Sequence, residues 1–254
     1  MAKKALKQNS KYETGPYDSL RDYMEAIETH GNVIRIKEID QDAYELTGFM
    51  YKLLDKHGWL GAPSVIVEKI KISGEWVDGP IIVNQYGMAG HEAMAIGVPL
   101  DEIEEGAHVH NYKKALNKMM QMGEITPIKT TEIDKADAPS KAVILKEEDI
   151  NILDFPFFQT NPGDNGRFIN TGNLVTVDPD QGRNVGTYRM QIKGPRKIGI
   201  SPEKKQDGWK SLMKTKENGE TVAQAVVVLG TNPIVFAMSS SKTARTGQAE
   251  LEIA

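Results

Sequence analysis

Leu20, Tyr23, Met24 and Ile27 recur at intervals of three and four, so Ser19 to His30 is predicted to form an amphipathic helix, with Gly31 placed to stop it. VIRIKEI then alternates apolar and polar residues, the pattern of a strand. Asp42 to Lys56 returns to helical spacing and stops near Gly58. SVIVEKIKI and PIIVNQY are predicted strands, with turns at Gly74 and at Gly79–Pro80. HEAMAIG is a short helical piece, and Asn111 to Met122 a further helix rich in Met and Lys. From Thr126 the helical spacing disappears and breakers accumulate, as in a linker followed by an extended segment. NLVTV, NVGTYRMQI, KIGI, VAQAVVVL and PIVFAMS follow as predicted strands. DPDQGR and KGPRK are turns, and GWKSLMKTKENG is the one helix among them. These patterns divide the chain into a flexible arm over 1–17, a mixed α/β domain over 18–123, a linker over 124–140 and an antiparallel β domain over 141–254. The last is expected to be a split β-barrel.

Composition narrows the chemistry. The 254 residues are 39% hydrophobic and 26% charged, ordinary for a globular protein with a sizeable core. A net charge of −4 argues against a general nucleic-acid binder. The absence of cysteine excludes disulfides, thiolate catalysis and zinc–thiolate or iron–sulfur ligation by this chain. The five histidines lack zinc-site spacing. No apolar run approaches the ~20 residues of a membrane span. The charged start lacks the apolar stretch of a secretory signal, so the expected location is the cytoplasm. Met119, Met120 and Met122 serve either as core packing of their helix or as an adaptable contact surface.

Asp154 to Pro195 carries the strongest signal: a Pro-Gly-Asp turn, a Gly-Arg pair, then a strand bearing Asn184 and Arg189. Taken alone it is a surface hairpin with a solvated arginine. Its wording, however, resembles the UbiD-type decarboxylase family: DFP at Asp154–Pro156, PGDNGRFI at Pro162–Ile169 with Gly172 following, and VTVDPDQGRNVGTYRMQIKGP at Val175–Pro195. SLRDYMEAIETHGNVIRIKEID and AQAVVVLGTNP extend the resemblance over essentially all of residues 19–254.

The resemblance implies a prenylated flavin mononucleotide bound in the β domain. Its phosphate would be bridged by manganese or magnesium, often with potassium nearby. Asn184 and Glu250 fall on the family's metal ligands, Arg189 on its catalytic arginine, and Ser239, Ser240 and Ser241 on its cofactor-lining loop. The chemistry is coherent, because hard divalent ions take carboxylate, amide and phosphate oxygens, and arginine holds a carboxylate with two parallel charge-assisted bonds. Individually, Asn184 also reads as a turn residue, Glu250 as part of a solvated face, and Ser239–Ser241 as a polar loop. Asn184 and Arg189 are five positions apart and would face opposite ways on an unbroken strand. If both serve one site, a bulge is expected between them, most naturally at Gly186.

Two departures stand out. Lys204 or Lys205 occupies the place of a family metal-ligating histidine: either the lysine, with Lys204 taken as cofactor-binding, neutralises phosphate charge directly, or Glu203 substitutes as a ligand, or the metal is held by fewer protein ligands. The chain also ends at Glu-Ile-Ala, before the family's catalytic glutamates and C-terminal domain. The resemblance therefore implies reversible decarboxylation of an aromatic or α,β-unsaturated acid. Arg189 orients the carboxylate, and the glutamates come either from a second subunit in an oligomer, the preferred reading, or, if the chain is a fragment, from its missing C-terminal half. A flavin prenyltransferase supplies the cofactor. The alternatives are a non-catalytic cofactor-carrying or assembly subunit, and a flavin-reductase-like module.

Overall fold

The computed structural model describes residues 14–178, 182–244 and 248–254. Most of the expected arm and the centre of the DPDQGR turn lie outside the described residues. The arm's last residues are packed: the Gly15 N–H donates to Met94 O at 2.8 Å and Tyr17 is buried.

Helix α1 (Leu20–Thr29) begins where the Ser19 side chain accepts from the Asp22 N–H, satisfying a donor the helix cannot. Strands β1 (Val33–Asp40) and β2 (Ser64–Ile72) are parallel, joined by α2 (Glu45–His57), and β3 (Glu75–Val83) pairs antiparallel with β2. The helix after β1 starts later than predicted, behind a left-handed turn at Tyr44. The expected turn at Gly79–Pro80 is instead part of β3. There the pairing with β2 is interrupted opposite Glu68, and the core-facing side of β2 changes from Val65 and Val67 to Ile70 and Ile72. Proline, lacking an N–H, is accommodated at such an interruption. Ile66 faces α1 and the short helix α3 (Ala89–Ala95), whereas Val65 and Val67 face α2.

Helix α4 (His108–Met122) packs on α3 through Ala115. An exposed connection with short 3₁₀ turns then leads to the second sheet. Strands β4 (Phe168–Asp178), β5 (Gly182–Gly194), β6 (Lys197–Ile200) and β7 (Ala225–Val228) pair antiparallel in the order β6-β5-β4-β7. Among the described residues this sheet is open and closes no barrel. One face buries Ile169, Leu174, Met190 and Ile192. Helix α5 (Asp207–Glu217) packs beside Tyr188.

PIVFAMS, predicted as a strand, is helix α6 (Pro233–Ser240). The Asn232 side chain accepts from the Ile234 N–H and Pro233 occupies the first turn, both helix-start features that outweigh the β-branched composition. Helix α6 and the short α7 (Glu250–Ile253) pack with Met119 and Met122 of α4, while Met120 remains exposed. Two of the three methionines are thus packing residues. A row of rings, Tyr17, Tyr23, Tyr86 and Phe236, runs from α1 to α6 with centroids 5.4–6.0 Å apart. Tyr86 Oη donates to Pro233 O, and Asn232 Nδ2 to Tyr17 O.

His91 of α3 is buried with neither ring nitrogen hydrogen-bonded. Burial first, then neighbouring His30, pushes its pKa down to about 4. The unfolded chain binds this proton near pH ~6.5. Stability from neutral His91 is therefore present above that value and lost as pH falls toward 4. At about 1.4 kcal/mol per pKa unit, the loss is on the order of 3 kcal/mol. Burial raises the Glu92 carboxyl, which acts in the opposite sense. Urea midpoints of the wild type and His91→Leu, measured from pH 7 to 4, isolate the histidine: the variant's pH dependence should be flatter.

Candidate functional site

Strand β6 covers only the Met190–Gly194 part of the β5 edge. From Gly182 to Tyr188 the side of β5 away from β4 borders a cleft of about 630 Å³, a size typical of small-molecule sites. α5 and the loop before it form one wall, and the ends of α6 and α7 the other. Alternate N–H and C=O groups of such an edge point outward. One is already engaged: the Val185 N–H donates to Glu250 Oε2 at 2.9 Å.

The serine wall is built from hydrogen bonds. Ser239 Oγ lies 2.8 Å from Thr187 Oγ1 and accepts from Asn173 Nδ2 at 2.6 Å, while donating to Phe236 O. Ser240 Oγ donates to Thr187 Oγ1 at 3.0 Å. Ser241 Oγ reaches Met238 O and Thr243 Oγ1. Helix α6 thereby presents three hydroxyls along the cleft. Thr187 and Asn173 escaped the sequence reading, because a threonine or asparagine inside a strand carries no spacing signal.

Asn184 and Glu250 both line the cleft. The Asn184 Nδ2 is buried and unpaired. Burial raises the Glu250 carboxyl above the ordinary carboxylate range, with a smaller contribution from Asp207, while the Val185 N–H opposes the shift. Lys205 and Glu203 line the cleft, and Lys204 is not among its lining residues. Lys210 is also there, paired with Asp207 at 2.6 Å.

Gly186 does not mark a bulge. The β4–β5 register is continuous from Gly182 to Tyr188, and the irregularity lies in β4 between Ile169 and Gly172, opposite Arg189. Gly186 answers a close approach instead: a Cβ there would come within 2.7 Å of the Tyr188 ring. Tyr188 Oη accepts from the Gly208 N–H at 3.2 Å, joining β5 to the start of α5. Asn184 thus shares a face with Tyr188 and Met190, and Arg189 shares the opposite face with Thr187. Arg189 is not a lining residue of the cleft. Its guanidinium is 4.8 Å from the Phe168 ring centroid, donates to Asn170 Oδ1 at 3.2 Å and lies 3.6 Å from Asp164.

The lining suits a phosphate-bearing ligand bridged by a hard cation: Glu250 and Asn184 offer oxygens, Ser239–Ser241 hydroxyls, Lys205 a positive charge and the strand edge its amides, while Glu203 and Asp207 add carboxylates and Lys210 a further ammonium group. Among the described residues no three His, Cys, Asp or Glu side chains converge as a metal cage. A cation would therefore draw further oxygens from the ligand. No helix of the described residues is long and apolar enough to cross a membrane.

Residues 131–254 match the family described as UbiD, 3-octaprenyl-4-hydroxybenzoate carboxy-lyase Rift-related domain. A protein named phenolic acid decarboxylase from Escherichia coli O157:H7 is 27% identical over 247 residues, covering 94% of this chain and 48% of that protein. The chain thus spans about half the length of the curated relatives it matches. The closed form of vanillic acid decarboxylase ShVdcCD from Sedimentibacter hydroxybenzoicus superposes with a TM-score of 0.77 at 24% identity, over 94% of this chain and 48% of that one. The UbiD-class enzyme HmfF from Pelotomaculum thermopropionicum, in an evolved dimeric form in complex with prFMN, gives 0.71 at 24% identity over 93% and 50%.

Proposed function

The chain carries a UbiD-family domain over residues 131–254, and from that premise we propose that it is the cofactor-binding part of a prenylated-flavin-dependent carboxy-lyase acting on an aromatic or α,β-unsaturated carboxylic acid. The observation that carries this reading is the cleft along the free edge of β5, where Asn184, Glu250 and Ser239–Ser241 converge. When bound, the flavin supplies the electron sink for loss or gain of carbon dioxide. Asn184 and Glu250 would supply oxygens to a manganese or magnesium ion, potassium being a further candidate nearby. Lys205 would donate to phosphate oxygens, and Ser240 could join it by exchanging its bond to Thr187 for one to the ligand, while Ser239 and Ser241, whose protons are held by Phe236 O and Met238 O, line the site.

Arg189 fits the same ligand through length rather than a shared face. Five residues of strand span roughly 16 Å, comparable to a flavin mononucleotide lying along the edge. Its phosphate end would meet Asn184, and its ring end would approach Arg189. There the guanidinium would exchange its long contact with Asp164 for the substrate carboxylate. The proton donor would come from a second subunit. This reading treats 18–123 and 141–254 as two units joined by 124–140, the latter being part of a split barrel, in a cytoplasmic oligomer supplied by a flavin prenyltransferase.

The test is production in the native host beside a flavin prenyltransferase, followed by native mass spectrometry and an assay of isotope exchange between labelled bicarbonate and aromatic acids. Retained prenylated flavin with exchange supports the proposal; a chain that retains only ordinary flavin and exchanges nothing overturns it. The exposure of Arg189 and its absence from the cleft lining favour one second reading, a cofactor-carrying subunit whose partner holds the substrate. Arg189→Ala in the assembled enzyme separates the two. A catalytic role predicts at least ~100-fold lower exchange with flavin content unchanged, the order of loss when a transition-state hydrogen-bond donor is removed. Unchanged exchange selects the carrier.

A further inference from the structure

Arg189 is exposed on β5, yet its guanidinium is held in place. A long side chain of this kind carries much rotamer freedom in water. Here it lies against the Phe168 ring, while Nε donates to Asn170 Oδ1 and Nη2 lies 3.6 Å from Asp164 Oδ1. Both polar contacts lead to one segment, residues 159–164, which belongs to no helix or strand. Asn170 Nδ2 donates to Thr160 Oγ1 at 3.2 Å, and Asp164 Oδ2 accepts from the Asn161 N–H at 3.0 Å. The Gln159 side-chain amide gathers the turn, donating to Asn161 O and to Asp164 O, each at 2.9 Å.

The first sheet fixes this segment. Gln41 follows β1, and its backbone N–H donates to Lys71 O of β2 at 3.1 Å. Its buried side-chain amide donates to Gln159 O and to Thr47 Oγ1, both at 2.9 Å. The Thr47 hydroxyl, on α2, donates in turn to Thr160 O. Gln41 Oε1, meanwhile, is buried and finds no partner among the described residues. An unsatisfied buried acceptor costs stability, and a methionine of similar length would avoid that cost. Stability alone therefore does not account for an amide at this position, whereas its two donors do.

We infer that Gln41 is a positioning residue for Arg189: directly and through Thr47 it seats residues 159–164, and that segment seats the guanidinium. The arginine is thereby ordered before any carboxylate arrives, which removes part of the entropic cost of binding one. The consequence for a substrate rests on the proposed catalytic reading of Arg189; the positioning itself does not.

Gln41→Met and Thr47→Val each keep the side chain's approximate shape and remove its donors, so either can decide the question if the other folds poorly. NMR order parameters of the arginine Nε–H groups, measured on the full chain, read Arg189 directly, its signal being assigned by its loss in Arg189→Lys. Arg35 of β1, whose Nε donates to Glu28, is the control. In the wild type Arg189 should be rigid, near ~0.85, and in each variant it should fall below ~0.6 with Arg35 unchanged. An Arg189 that is mobile in the wild type, one that stays rigid in the variants, or equal loosening of Arg35 would overturn the inference. In the assembled enzyme, Gln41→Met should lower labelled-bicarbonate exchange by about 10- to 100-fold with flavin content unchanged, and should add nothing to Arg189→Ala. Full additivity of those two substitutions would also overturn the inference. Loosening of Arg189 with exchange unchanged supports the positioning and counts against the proposed role of Arg189 alone.

Discussion

Glu250→Ala is expected to reduce flavin mononucleotide retention by on the order of 100-fold or more, and to remove its dependence on divalent ions. Loss of partners outside a metal's immediate ligands already costs roughly 10–100-fold in metal affinity, and here a proposed ligand itself is deleted. The carboxylate has two roles, because it also accepts the Val185 N–H. Glu250→Gln separates them. The amide oxygen can still accept from Val185, so the thermal midpoint should stay close to wild type, while the charge that draws a divalent ion is gone. Fluorescence titration with flavin mononucleotide, with and without manganese, provides the measurement. Affinity unchanged in both variants would remove Glu250 from the site.

The largest stability effect should come from Tyr23→Ala. Tyr23 is fully buried between Tyr17 and Tyr86, and its hydroxyl donates to Gln85 O at 2.7 Å. Removing a buried aromatic ring costs about 3–5 kcal/mol, whereas Tyr23→Phe, which loses only the hydrogen bond, should cost about 1 kcal/mol. For a chain of this length the alanine variant should melt about 10 °C lower. Equal losses in the two variants would mean that the hydroxyl, not the ring, carries the effect. The row of rings continues to Phe236 on α6, so the alanine variant should also loosen the serine wall. Weaker flavin binding below the melting transition would report that.

The legibility of this fold varied with the kind of signal. Helix α1 could be placed because Ser19, the apolar stripe and Gly31 all agree. PIVFAMS misled because a short apolar run rich in β-branched residues has no period to distinguish helix from strand. The deciding information lay one residue upstream in the Asn232 cap. Family resemblance singled out Asn184, Glu250 and Ser239–Ser241, and the fold brings them together along one cleft. Arg189 was singled out by the same route, yet local packing holds it beside Phe168 and Asn170. The cleft itself was not legible, since it depends on β6 ending after four residues. That is a property of pairing extent rather than of any one residue. Gly186 was rightly singled out, but for the wrong reason: the neighbour that needs its missing side chain is Tyr188, two positions along the same strand.

The open edge of β5 has a consequence for how such a site can diversify. Groups presented by the main chain are common to every residue except proline. A ligand that leans on the edge between Gly182 and Tyr188 is therefore gripped by atoms that most substitutions leave in place. The exposed side chain at Arg183 is then free to drift, altering the shape and charge around the ligand while the underlying grip survives. A saturation library at that position should yield many variants that still bind and differ chiefly in selectivity, with proline as the sharp exception, whereas the buried Val185 should tolerate few replacements.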